Sequence, residues 1–127
     1  MPTPTQVVLE FCAMWERPDG PNESFRRYFT DNSIWENHGM SLTTGADEAI
    51  AINNAFAEQY GMATIWYEQL SAAETGNKVL TERIDHLRDA DGKTIGAFPV
   101  MGVFTVEGDK IVDWRDYFDS KGALHPA

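Results

Sequence analysis

One cysteine in 127 residues, Cys12, rules out an intramolecular disulfide. It sits beside Val8, Leu9 and Phe11 and reads as a small buried apolar side chain. Histidine is nearly as scarce: His38, His86 and His125 stand far apart without the spacing of a ligand cluster, so no metal is expected. Basic residues are outnumbered, 10 Lys and Arg against 20 Asp and Glu, for a formal net charge of −10. Nucleic acid and anionic membrane surfaces would be repelled, and neither is expected as a partner. No apolar run approaches the length of a membrane span, and the N-terminus lacks the basic start and apolar core of a secretory signal. A cytoplasmic location is therefore expected. Repeats, low-complexity tracts and interdomain linkers are also missing, so residues 1–127 are expected to form one domain.

What is present is apolar and aromatic. A hydrophobic fraction of 43%, with 12% aromatic residues, describes a folded globule with enough apolar surface for a core and a ligand cavity. Thr3 or Thr5 can cap a first helix that tolerates Pro4 in its opening turn and carries Val7, Val8, Phe11, Cys12 and Trp15 as a stripe. It ends before Pro18-Asp19-Gly20-Pro21. A short second helix starting at Asn22 or Ser24 carries Phe25, Tyr28 and Phe29, then Thr30-Asp31-Asn32 turns into a strand from Ser33 to His38. The spacing of Ala49, Ile50, Ile52, Asn53, Phe56 and Tyr60 predicts a helix between Gly45 and Gly61.

The period then changes from helical to alternating. Four extended segments, 64–73, 78–88, 94–106 and 110–119, are separated by the turn signals Gly76-Asn77, Asp91-Gly92 and Gly108-Asp109, which predicts an antiparallel meander. Pro99 implies a bulge or an edge, and Gly96 and Gly102 permit local curvature. Helices first and a long curved sheet afterwards describe an α+β fold in which the sheet wraps around the helices and makes a concave pocket.

Two polar insertions interrupt these strands, Glu82-Arg83-Ile84-Asp85 and Trp114-Arg115-Asp116-Tyr117-Phe118-Asp119. Residues i and i+2 share a strand face, so Arg83 sides with Asp85, and Asp116 sides with Val112, Trp114 and Phe118. A charge on an apolar face is costly unless paired, and an arginine with two carboxylates can hold one proton between two acids. That is an acid–base arrangement. Arg115 and Asp113 lie on the opposite face and read as a solvated or interface ladder, and Glu82, His86 and Arg88 share a face away from Arg83, outside the site. Met14, Met40, Met62 and Met101 read as core, and His38, of opposite parity to Asn37, as surface.

The stretches 79–88, Met101-Gly102-Val103-Phe104 and 110–119 together resemble the limonene-1,2-epoxide hydrolase family. That family belongs to the cone-shaped α+β group of nuclear transport factor 2, ketosteroid isomerase and SnoaL-like domains. The resemblance implies helices packed in a strongly curved mixed or antiparallel sheet. It also implies that Asp85, Arg83 and Asp116 are an acid–base unit, with Asp85 as general acid and Asp116 as general base. Alternation alone would let those two labels be exchanged. The resemblance further implies that Asn37 helps hold an attacking water, that no cofactor is used, and that the chain forms a homodimer.

The implied reaction is addition of water to a small apolar epoxide, giving a vicinal diol without a covalent intermediate. Opening the ring needs a proton delivered to its oxygen and another removed from the water, so one carboxyl must be protonated and the other ionised. Leu87 and Phe118, each two residues from an acid, should flank the site. Two departures stand out. Trp35 occupies a position where the family has a water-binding tyrosine, and serves either as an N–H donor to the water or as an apolar wall. Residues 120–127 form a short tail that is a poor helix former, which would leave the pocket open to bulkier epoxides. Two other functions use the same fold: a carbonyl isomerase or cyclase, and a non-catalytic small-molecule-binding module.

Overall fold

A computed structural model describes residues 2–119 of the chain. The first helix, α1 (Pro4–Ala13), is capped by Thr3 and not by Thr5. Thr3 Oγ1 accepts from the Gln6 amide at 3.1 Å while Gln6 Oε1 accepts from the Thr3 amide at 2.8 Å, a reciprocal pair that satisfies two otherwise orphaned donors. Thr5 is used differently, tying the helix to the sheet through Glu74. The chain continues through a 3₁₀ turn, Met14–Glu16, which buries Trp15.

Helix α2 (Gly20–Tyr28) starts earlier than Asn22 or Ser24. Asp19 adopts a left-handed φ of 58° and Pro21 occupies the first turn, where its missing N–H costs nothing. Gly20 is obligatory, because a Cβ there would lie 1.8 Å from the Met14 carbonyl oxygen. Strand β1 (Phe29–Asn37) likewise begins sooner than Ser33. The expected turn at Thr30-Asp31-Asn32 is instead an irregularity inside the strand, where side chains of Thr30 and Ser33 accept backbone N–H groups.

A four-residue strand, β2 (Ser41–Thr44), was not expected; it folds back on β1 around Gly39, whose φ is +79°. Helix α3 (Gly45–Tyr60) follows, then β3 (Thr64–Thr75), β4 (Lys78–Arg88), β5 (Thr94–Glu107) and β6 (Lys110–Tyr117). The sheet order is β2-β1-β6-β5-β4-β3. β3 to β6 make the antiparallel meander, and β1 lies parallel to β6, so the sheet is mixed.

The helices pack into the curve of this sheet around Phe11, which touches the rings of Trp15, Phe25, Tyr28, Phe29, Phe104 and Trp114 at centroid distances of 5.3–6.2 Å. Cys12 is buried beside it. Pro99 lies beyond the point where β6 begins to pair with β5, at Met101 and Tyr117, so its missing N–H breaks no bond of that ladder. One parity reading is corrected: Val106 pairs with Ile111 and Thr105 with Asp113, so Val112 is an extra residue. Ile111 is fully buried where Val112 is only half-buried, so Ile111 replaces Val112 on the buried side with Trp114 and Asp116. Two of the four methionines read as core are also outside. Met40 sits in the β1–β2 turn, partly exposed at the rim of the pocket described below, and Met101 points outward between the buried Val100 and Gly102. Among the described residues, no helix is long and apolar enough to cross a membrane.

Candidate active site

Alternation along β4 sends Thr81, Arg83, Asp85 and Leu87 inward, and register across β5 brings β6 within reach. The Arg83 side chain is completely buried, yet all five of its N–H donors are used. Nε and Nη2 bind the Asp85 carboxylate at 2.9 and 3.2 Å, and Nη1 and Nη2 bind the Asp116 carboxylate at 3.2 and 2.6 Å. The remaining Nη1 donor reaches Thr81 Oγ1 at 3.4 Å. Each carboxylate is thus held by a two-point fork, the geometry that only arginine can supply. The guanidinium also lies 5.5 Å from the Trp15 ring and 5.9 Å from that of Trp114.

Asp116 takes a third donor, Trp114 Nε1 at 2.7 Å. The indole is immobilised by stacking on Trp35 (4.9 Å, 7°) and Phe104 (5.3 Å, 13°). Burial raises the Asp116 pKa above the ordinary 3.8, with the charge and hydrogen bonds of Arg83 acting against it. Burial alone would lower the Arg83 pKa, but the charges of Asp116 and Asp85 reverse this and hold it above its usual value. The arginine therefore stays charged, and Asp116 has a greater affinity for a proton than an exposed carboxylate.

Both acids face a pocket of ≈ 110 Å³ whose walls are mostly apolar; Arg83 lies behind them and does not reach its surface. A buried water needs only about 10–15 Å³, so this space is cut for an organic ligand. Asn37 reaches the pocket from β1, where it pairs in parallel register with Asp116, and its amide is fixed by donation to Ser41 Oγ at 3.0 Å. The unexpected strand β2 thus has a positioning role. Trp35, Leu87 and Phe118 are all in the pocket wall, as their parity required. Trp35 Nε1 is buried and has no hydrogen-bond partner among the described residues.

The sequence pattern of the limonene-1,2-epoxide hydrolase catalytic domain matches residues 2–126. The chain belongs to the limonene-1,2-epoxide hydrolase family. Its structure is similar to that of an LEH-like epoxide hydrolase of M. tuberculosis, with 25% identity and a TM-score of 0.73 over 94% of this chain and 80% of that one. The same cone fold occurs in a SnoaL-like protein of Shewanella denitrificans (17% identity, TM-score 0.78, 96% and 94% covered). It occurs again in a protein of Catenulispora acidiphila with a ketosteroid isomerase-like fold (18%, 0.77, 97% and 92%). In this limonene-1,2-epoxide hydrolase family member, the short tail of residues 120–127 lies outside the described residues.

Three residues of the site escaped the sequence reading. Thr81 and Trp114 complete the hydrogen bonds of Arg83 and Asp116. Gly102, read as a point of curvature, has a different purpose: a Cβ there would lie 2.5 Å from Asp116 Oδ1 and 2.7 Å from Arg83 Nη1. A glycine on β5 lets the ion pair from β4 and β6 close across it. Gly102→Ala should therefore lower kcat/KM at least tenfold by prising the pair apart, while overpacking costs about 1–3 kcal/mol of stability. Steady-state kinetics and thermal unfolding of the variant check both.

Outside the site, Arg115 binds Asp113 and Glu36 on the outer face, and His86 binds Glu68 and stacks on Trp66. The His38 side chain is largely exposed.

Proposed function

We propose that this chain is an epoxide hydrolase that adds water to a small apolar epoxide in one step, giving a vicinal diol. The observation that carries the reading is the double fork of Arg83, which holds two carboxylates side by side at the surface of a mostly apolar pocket. Two carboxyls coupled through one guanidinium can divide the roles of proton donor and proton acceptor, which is what the reaction needs.

In this scheme Asp116 takes a proton from the water while the water oxygen attacks one ring carbon. The carbon–oxygen bond breaks, and the departing oxygen receives the Asp85 proton. The two added hydrogens and the oxygen balance as one water, and the proton left on Asp116 returns to Asp85 through solvent. The three N–H donors that Asp116 accepts, two from Arg83 and one from Trp114, stabilise its ionised form and favour it as the base. The two protons of the attacking water go to Asp116 and Asn37, and a lone pair is aimed at carbon. Trp35, whose N–H is enclosed, serves as wall.

No cofactor is required by this scheme. The outward side chains Leu80, Met101 and Tyr117 are exposed on adjacent strands and form the face through which we place a homodimer.

The test is a single turnover with enzyme in excess over a panel of cyclic alkene oxides in ¹⁸O-water. Diol carrying one labelled oxygen from the first turnover is expected; absence of diol, or label appearing first in a protein carboxylate, overturns the scheme. Protonated Asp116 cannot act as base, so kcat/KM falls as pH drops through its raised pKa. The acid limb should lie above pH 3.8, and a limb at or below that value argues against Asp116 as the base.

A further inference from the structure

Helix α3 presents Ala49, Asn53, Phe56 and Tyr60 along one stripe, and Asn53 is the polar member, with 9% of its surface exposed. It lines the pocket of the two acids and also an adjoining polar pocket with Asp19, Asn22 and Asn54. The orientation of its amide follows from a chain of hydrogen bonds that starts at a charge. Asp19 is an acceptor only, so Asn22 turns its NH₂ toward Asp19 (3.3 Å) and toward Asn54 Oδ1 (2.8 Å). The left-handed backbone of Asp19 and its ion pair with Arg26 hold that carboxylate in place. The Asn22 oxygen is then left facing Asn53, which must offer its own NH₂, at 3.1 Å.

The consequence is that the Asn53 carboxamide oxygen is left over. It accepts no hydrogen bond among the described residues, on a side of the pocket lined by Phe56, Tyr60 and Met62, in walls whose other polar side chains are Asn37, Asp85 and Asp116. The oxygen keeps some exposed surface, so water reaches it in the free protein, and a ligand that covers it with carbon loses that hydrogen bond.

We propose that Asn53 and the adjoining polar pocket form a subsite for a hydrogen-bond donor on the substrate, which makes the substrate class an epoxide bearing a hydroxyl or N–H remote from the ring and not a plain hydrocarbon oxide. This rests on the hydrolase reading for the word epoxide alone; the subsite itself follows from the hydrogen-bond chain. The polar end of the ligand lies between α2 and α3, and the reacting end lies against Asp85 and Asp116.

Binding separates the two readings. The probes are two unreactive cyclohexanes, one with a hydroxymethyl group and one with the methyl ether of that group, titrated against the quenching of Trp15, Trp35 and Trp114, which line the pocket. The alcohol should bind at least tenfold more tightly than the ether. Asn53→Leu and the smaller Asn53→Ala, with folding checked by circular dichroism, should both bring that ratio to about one. The matched pair of epoxides should show the same preference in kcat/KM. Equal binding of alcohol and ether by the wild type, or a preference that survives in either folded variant, overturns the subsite. Preference in binding with no turnover of either epoxide upholds the subsite and sinks the hydrolase instead.

Discussion

Arg83→Ala should lower stability by about 3–5 kcal/mol, because it leaves two carboxylates in a buried site without their common counter-charge. The guanidinium is wholly enclosed and every one of its donors is engaged, so no solvent molecule replaces it without rearrangement. Removing all three charges is a different matter. A well-packed apolar triple variant, Arg83→Met, Asp85→Leu and Asp116→Leu, should recover most of the loss, since buried ion groups are commonly neutral or worse for stability than apolar residues of similar volume. Part of the deficit will remain, of order 1–3 kcal/mol, because the Trp114 N–H loses its acceptor. Urea denaturation of the single and triple variants measures the difference. A triple variant as stable as the wild type and devoid of activity would show that the charges are kept for chemistry, whereas an Arg83→Ala loss under 1 kcal/mol would show that the three charges are not coupled as described.

The second large effect is on rate. Asp116→Asn and Asp85→Asn should each lower kcat by about 10²–10⁴ while leaving the shape of the pocket intact, because each removes one proton-transfer partner from a concerted step. The effects should be far from additive: with one acid gone the other has nothing to cooperate with, so the double variant should be little worse than either single. Pre-steady-state kinetics on a turned-over epoxide decide this. Losses that multiply would mean that the two carboxylates act independently, and the shared-proton scheme would fall.

Alternation within a strand was enough to place Arg83 with Asp85 and to turn Asp116 inward, because strand parity is a local property. The helix stripes and the turn residues between β3 and β6 were legible for the same reason. What could not be read was register between strands. The parallel contact of β1 with β6 aligns Asn37 with Asp116, and nothing in either segment alone specifies it. Gly102 looked like a bend because its neighbours are on other strands, and its true constraint is the volume of a guanidinium and a carboxylate. The extra residue at Val112 reversed one parity because bulges insert without a strong sequence mark. Strand β2 is four residues long and too short for its pattern to be distinguished from a loop. Asn53 was visible as one member of the α3 stripe, but its open oxygen depends on Asp19 and Asn22 from another helix.

The parallel pairing of β1 and β6 joins Glu36 to Arg115, partners 79 residues apart, with β2, α3 and three strands of the meander in between. Closing a loop of that size is entropically the slowest kind of contact to establish, and local structure gains nothing from waiting for it. Until it closes, the meander can assemble Arg83 with both acids, but Asn37 remains elsewhere and the water it would hold has no site. Under the proposed reaction, a chain that has collapsed and formed most of its sheet is chemically silent until the first strand docks on the last.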